Sequence, residues 1–282
     1  MHNRARVDEL LRAHGLAPRR DLGQNFVADP NTVRRIARLA GIGRGDRVVE
    51  IGAGVGSLTL ALAETGATVT AVEIDRGLVP VLHDVLDGTG VHLVEGDALR
   101  LDWHDVLGDA DGWALVANLP YNVATPLVAD LLDGVPQIRR MLVMVQREVG
   151  ERLCAAPRTP AYGAVSVKVA YWARARIVGL VPASVFVPRP NVESALVEIL
   201  RRDVPATDAP PAELFRLVRT AFGQRRKMLR RSLADVVASA TFAAAGIDPT
   251  RRPEELDVTE WGRLTNAHLA APSPTPPACD EL

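Results

Sequence analysis

Four short apolar runs organise the first half of the chain. Arg47 to Ile51, Thr68 to Val72, Val91 to Glu95 and Trp113 to Ala117 are rich in β-branched and aliphatic residues. Such runs, bounded by Gly and acidic residues, predict strands of a buried, largely parallel sheet. Gly52 to Thr59 follows the first run, and a helical stretch continues to about Ala63. Strand, glycine-rich turn and helix make half of a Rossmann-like unit. The stretch from Val204 to Pro211, with Pro205, Pro210 and Pro211, reads as a linker. Beyond it the period changes to helical. Leu214, Val218 and Ala221 share one face, and Leu229, Leu233 and Val237 recur at i, i+4 and i+8. A last helix is expected around Thr259 to Leu269, with Trp261 and Leu264 inward. The Pro272–Pro277 segment is too proline-rich to fold. The expected organisation is an α/β domain over 1–203, a smaller helical domain over 204–270 and a disordered tail over 271–282.

The ends of the four predicted strands carry the chemistry. The first delivers Gly52-Ala53-Gly54-Val55-Gly56, where glycines allow a tight turn and close backbone approach to a ligand. The second ends in Glu73, at the spacing of about 20 residues where an acid reaches ribose hydroxyls in such folds. The third ends in Gly96-Asp97-Ala98, and Asp97 is suited to accept from an adenine amino group or to cap a helix. The fourth ends in Asn118-Leu119-Pro120-Tyr121. There the amide oxygen of Asn118, with the backbone carbonyl of Leu119 or Pro120, can accept from an exocyclic NH2 group. The Tyr121 ring offers a stacking face, an interaction of roughly 1–3 kcal/mol per base. A turn of Asn and Pro after a strand is also ordinary loop punctuation. A nicotinamide dinucleotide site fits poorly, because G-x-G-x-G is not the G-x-G-x-x-G that receives a pyrophosphate.

The glycine loop and the following acid resemble the corresponding motifs of class I methyltransferases that bind S-adenosyl-L-methionine (SAM). Gly23-Gln24-Asn25-Phe26, Gly52 to Thr59, Glu73-Ile74-Asp75, Gly96-Asp97-Ala98 and Asn118 to Asn122 together resemble the ribosomal RNA adenine N6-dimethyltransferases. Phe186-Val187-Pro188-Arg189-Pro190-Asn191-Val192-Glu193-Ser194-Ala195 resembles that family's F-x-P-x-P-x-V-x-S-A segment. Val27 and Ala124 stand where the family usually has Leu and Ser. The resemblance implies a SAM pocket formed by Asn25, Val27, Gly52, Gly54, Glu73, Asp97, Ala98 and Asn118. It implies catalysis by Asn118, Leu119, Pro120 and Tyr121, with Phe186 closing the second face of the target adenine. The basic run Gln224-Arg225-Arg226-Lys227 and the later Gly246-Ile247-Asp248-Pro249 point to the branch that dimethylates two adjacent adenosines near the 3′ end of 16S rRNA in the small subunit, late in its assembly. Methylases of large-subunit rRNA that confer macrolide resistance are a sister branch. A DNA adenine methyltransferase and a non-catalytic assembly factor are the remaining alternatives.

Composition constrains the partners. The chain has 282 residues, 48% of them hydrophobic, and a net charge of −1, so it is not basic as a whole. Its positive charge is segregated instead. Arg4, Arg6, Arg12, Arg19 and Arg20 crowd the N-terminal arm, and Arg225, Arg226, Lys227, Arg230 and Arg231 form a second cluster. Arg19, Arg20, Arg225, Arg226, Lys227 and Arg230 are the expected RNA contacts, although an arginine-rich solvated helix face would look the same. Two distant cysteines and six scattered histidines show no metal-ligand spacing. No apolar run approaches the ~20 residues that span a bilayer, and the Arg-rich N-terminus lacks the apolar stretch of a signal peptide. A cytoplasmic monomer is expected.

Overall fold

A computed structural model describes residues 1–19, 21–121 and 123–271. Arg20, Asn122 and the proline-rich tail lie outside the described residues. The chain divides into two compact units, one of Met1–Ala155 and Trp172–Val204, the other of Ala156–Tyr171 and residues 205 onward.

The first unit contains α1 (Arg4–Ala13), β1 (Phe26–Val27), α2 (Pro30–Ala40), β2 (Arg47–Ile51), α3 (Ser57–Ala63), β3 (Thr68–Glu73), α4 (Leu78–Leu86), β4 (His92–Glu95), α5 (Trp103–Leu107), β5 (Trp113–Asn118), α6 (Ala124–Gly134), β6 (Ile138–Gln146) and α7 (Arg147–Leu153). After the excursion into the second unit it resumes with β7 (Ala173–Val181), β8 (Phe186–Val187) and β9 (Ser194–Arg201). Seven strands form one sheet in the order β4-β3-β2-β5-β6-β9-β7. Only β9 runs against its neighbours, β6 and β7. This is the Rossmann-like α/β arrangement expected from the sequence. Helices cover both faces of such a sheet, which is why β2 and β5 read as nearly continuous apolar runs.

From β2 the chain adds β3 and β4 on one side and then crosses to β5 on the other. The carboxyl ends of β2 and β5 therefore flank a topological switch point, where open α/β sheets bind ligands. The two strands pair directly only at Val48–Ala114 and Val49–Leu115, so their carboxyl ends part.

The N-terminal arm is an ordered helix rather than a free basic segment. Asn3 caps α1 by accepting from the Arg6 N–H, and Val7, Leu10 and Leu11 are buried against Phe26, Val55, Leu78 and Val187. Its cations are largely engaged nearby. Arg4 donates to the carbonyls of Ser184 and Phe186, Arg6 pairs with Glu9, and Arg19 pairs with Asp21.

The second unit contains α8 (Ala164–Trp172, its last residue in the first unit), α9 (Pro211–Gly223), α10 (Leu229–Ser232), α11 (Ser239–Ala244) and α12 (Val258–Ala270). Its core is aromatic. The Tyr162 ring meets Phe222 edge-on at 6.1 Å, Tyr171 meets Phe215 at 5.3 Å, and Phe222 lies 6.3 Å from the fully buried Trp261. The Tyr162 hydroxyl donates to the Leu256 carbonyl and the Tyr171 hydroxyl to that of Ala209. These contacts draw 156–171 into the helical unit, so the sequence-based boundary at 203 divides the chain differently. The Leu229, Leu233 and Val237 pattern is also not one helix. All three are buried, but α10 ends at Ser232 and the spacing continues through turns closed by Leu233 N–H to Leu229 O and Val237 N–H to Leu233 O.

Candidate active site

One pocket gathers the carboxyl ends of the parallel strands. Gly52 and Gly54 follow β2, Glu73 ends β3, Gly96, Asp97 and Ala98 follow β4, and Asn118 ends β5 and leads into Leu119, Pro120 and Tyr121. Gly23, Gln24, Asn25 and Phe26 close the N-terminal side. Ile51, Val72, Ile74, Leu78, Leu99 and Leu127 give it apolar walls.

The glycine loop is shaped by its neighbours. Gly54 has φ +61°, and a Cβ there would fall 3.0 Å from the Phe26 ring. A side chain at this position would be both strained and obstructed. Glu73 braces the same loop from below, accepting the Gly54 N–H at 2.7 Å and the Asp75 N–H at 2.9 Å. Burial raises the Glu73 carboxyl above its ordinary value, and those two N–H groups oppose the rise. Asp75 in turn accepts the Gln24 amide at 2.7 Å, tying the N-terminal segment to the end of β3. Asp97 accepts the Leu99 N–H, forming a local turn rather than a helix cap, while Oδ2 stands 3.6 Å from Arg100.

The amide of Asn118 has a defined orientation. Nδ2 donates to the Asn25 carbonyl at 2.9 Å, which leaves Oδ1 as the side chain's acceptor. The Leu119 N–H donates to Met144 O, holding the turn on β6. The Pro120 carbonyl already accepts from the N–H groups of Val123 and Ala124 at the start of α6. The Tyr121 hydroxyl lies 2.9 Å from the Oγ of buried Ser194, and burial raises its pKa. The phenol therefore stays neutral near pH 7.

Two sequence expectations change here. Phe186 is fully buried in the core with Val33 and Ile36 and is absent from the pocket lining. Val27 is buried in that same cluster and does not reach the pocket either. The cause is the β1–β8 ribbon. Val27 pairs directly with Phe186 and Phe26 with Val187, and opposed residues share one face of a ribbon while successive ones alternate. Val27 and Phe186 therefore enter the core together, and Phe26 is the residue at the pocket. Ala124 is buried at the start of α6, with Val123 and Leu127 facing the pocket instead. Sequence reasoning also missed Gln24 and Phe26 as site residues, although both stand in the Gly-Gln-Asn-Phe motif.

Residues 15 to 268, in which this pocket falls, match the family model for ribosomal RNA adenine dimethylases. The chain belongs to the ribosomal RNA adenine dimethylase family. Among its relatives is the ribosomal RNA small subunit methyltransferase A of Cutibacterium acnes, 47% identical, with 94% of this chain and 93% of that one aligned. The solved dimethyladenosine transferase of Plasmodium falciparum has the same fold, with a TM-score of 0.69 at 23% identity over 84% of this chain and 94% of that one. The 23S rRNA methyltransferase ErmE has a TM-score of 0.65 at 26% identity over 86% and 99%. Like the other class I methyltransferases, this adenine dimethylase uses SAM. The residues present fit that cofactor: open loop backbone at Gly52 and Gly54, two carboxylates at neighbouring strand ends and apolar walls between them. Among the described residues no helix is long and apolar enough to cross a membrane.

Glu50 is fully buried on β2, and the buried Thr59 hydroxyl beside it offsets only part of the cost of burying its carboxyl. Burial pushes its carboxyl up to about 8. An unfolded glutamate loses its proton near the ordinary value of 4.5, whereas folded Glu50 keeps it. Between those values the folded state holds the extra proton, so stability falls as pH rises, by up to roughly 1.4 kcal/mol per pH unit. Glu50→Gln is expected to remove that slope and to melt above the unsubstituted protein at pH 8. Coincident melting profiles from pH 5 to 8 would contradict a neutral Glu50.

Proposed function

We propose that this dimethylase transfers methyl groups from SAM to N6 of two adjacent adenosines near the 3′ end of 16S rRNA, within small ribosomal subunits late in assembly. It would act in the cytoplasm as a monomer. The observation that carries the reading is the Asn118 amide, oriented by the Asn25 carbonyl at the rim of the glycine-loop pocket.

When bound, SAM supplies an electrophilic methyl on a sulfonium. Glu73 would hold the ribose hydroxyls, Asp97 the adenine amino group, and the backbone of Gly52, Gly54 and Ala98, with Asn25, the rest of the cofactor. The target adenine leaves its stack to enter the pocket. Its N6 lone pair is delocalised into the ring, so the amine is a weak nucleophile. Asn118 Oδ1 accepts one N6–H. The Leu119 carbonyl accepts the other, because that of Pro120 is already engaged by α6. Two acceptors favour a pyramidal nitrogen whose lone pair points along the transfer axis. Orientation of this kind contributes roughly 7–11 kcal/mol in well-aligned reactions. Tyr121 stacks on one face of the base. The proton leaves once the nitrogen is cationic, so no strong base is required.

The test is transfer of labelled methyl from SAM to small and large subunits from cells lacking these modifications. Label in small subunits alone is expected. Label in large subunits would move the chain to the resistance branch, which the likeness to ErmE keeps open. Tight subunit binding without label would replace catalysis with an assembly role.

A further inference from the structure

We propose that Arg158 is a phosphate-contacting residue for rRNA, part of a composite basic edge in the second unit that the sequence does not reveal. The proposal rests on the rRNA reading above. Arg158 is the one residue other than glycine with positive φ among the described residues, at +68°. It is exposed, and its guanidinium pairs with no carboxylate among them. An arginine is a poor choice for a left-handed position unless its side chain is useful there, since Gly or Asn adopts the conformation with less strain.

The backbone around it is held firmly. The Arg158 N–H donates to the Glu254 carbonyl at 2.8 Å. The Glu254 carboxylate accepts from Arg225 Nε, and Arg225 donates its second contact to the Pro160 carbonyl at 2.9 Å. Glu254 thus stitches 158–160 to the start of the basic run. The run is joined to the same loop at its other side, where the Leu229 N–H donates to Arg251 O and the Arg230 N–H to Pro249 O.

This clamp divides the cations by role. Arg225 is neutralised by Glu254 and acts as a positioning residue. Arg226, Lys227 and Arg230 are exposed, without an ion pair among the described residues, and stand on the run that Arg225 ties to the loop of Arg158 through Glu254 and Pro160. Arginines held on ordered backbone suit phosphate oxygens, because little freedom is lost when the contact forms. Two sequence-distant segments supply the cations and 249–254 holds them together, which explains how a chain of net charge −1 can present local positive charge.

The test measures binding of the full chain to small subunits across a salt series, with Arg158→Gly and Arg158→Lys beside the unsubstituted protein. Glycine accommodates the left-handed backbone, so Arg158→Gly should melt no lower than the parent while losing the charge. The slope of log K against log salt should become shallower by about 0.7–0.9, with affinity near 0.15 M salt falling roughly five-fold. Arg158→Lys should restore most of the slope. An unchanged slope and affinity in Arg158→Gly, with salt-dependent binding by the parent, would overturn the role of Arg158 alone. Salt-independent or absent binding by the parent would overturn the rRNA reading and this role with it.

Discussion

Asn118→Ala is expected to leave a folded protein that still binds SAM yet transfers methyl groups at least 10²–10³-fold more slowly, the usual cost of deleting one preorganised polar group that acts on the transition state. The side chain has two jobs. Nδ2 secures the Asn25 carbonyl, and Oδ1 is the acceptor offered to the target N6. Alanine removes both, but the cofactor walls at Gly52, Glu73 and Asp97 remain. Losing the Asn25 contact should loosen the 23–26 segment and weaken SAM only slightly. Single-turnover transfer and a calorimetric SAM titration on the same preparation separate the roles. Loss of SAM binding comparable to the loss of transfer would contradict the division.

Glu73→Ala has the opposite signature, a collapse of SAM affinity by about 100-fold or more. The mutation removes the ribose acceptor and strands the N–H groups of Gly54 and Asp75, which Glu73 now satisfies. Each buried donor left unpaired costs roughly 1–3 kcal/mol. Glu73→Gln should rescue only part of this. Its oxygen can accept one N–H, but its NH2 then faces the other donor. Calorimetry reads both variants, and unchanged affinity in Glu73→Ala would refute the ribose assignment and the bracing role together.

Much of this architecture was legible because the parallel strands are buried on both faces. Val48, Val49, Leu115 and Val116 are each at most 1% exposed, so the apolar runs appear without ambiguity. The strand ends were legible for the same reason, since each run stops where the pocket begins. What escaped depends on long-range pairing. Nothing local says that Phe186 will pair with Val27 and face the core, and its flanking prolines suggest an exposed loop. The arginines of α1 obscure Val7, Leu10 and Leu11, whose i, i+3, i+4 spacing marks a buried helix face. Likewise 156–171 looks continuous with the first domain until Tyr162 and Tyr171 find Phe222 and Phe215. Four-residue spacing at Leu229, Leu233 and Val237 arises equally from successive turns, so periodicity alone overstates the helix there.

The central claim is that the Asn118 turn presents adenine N6, and no other atom, to the methyl donor. The most direct measurement is digestion of rRNA from treated small subunits to nucleosides, followed by chromatography and mass spectrometry of the labelled product. Label should pass through N6-methyladenosine and accumulate as N6,N6-dimethyladenosine. Label in a ring-nitrogen methyladenosine, a methylated ribose or any pyrimidine would contradict the claim.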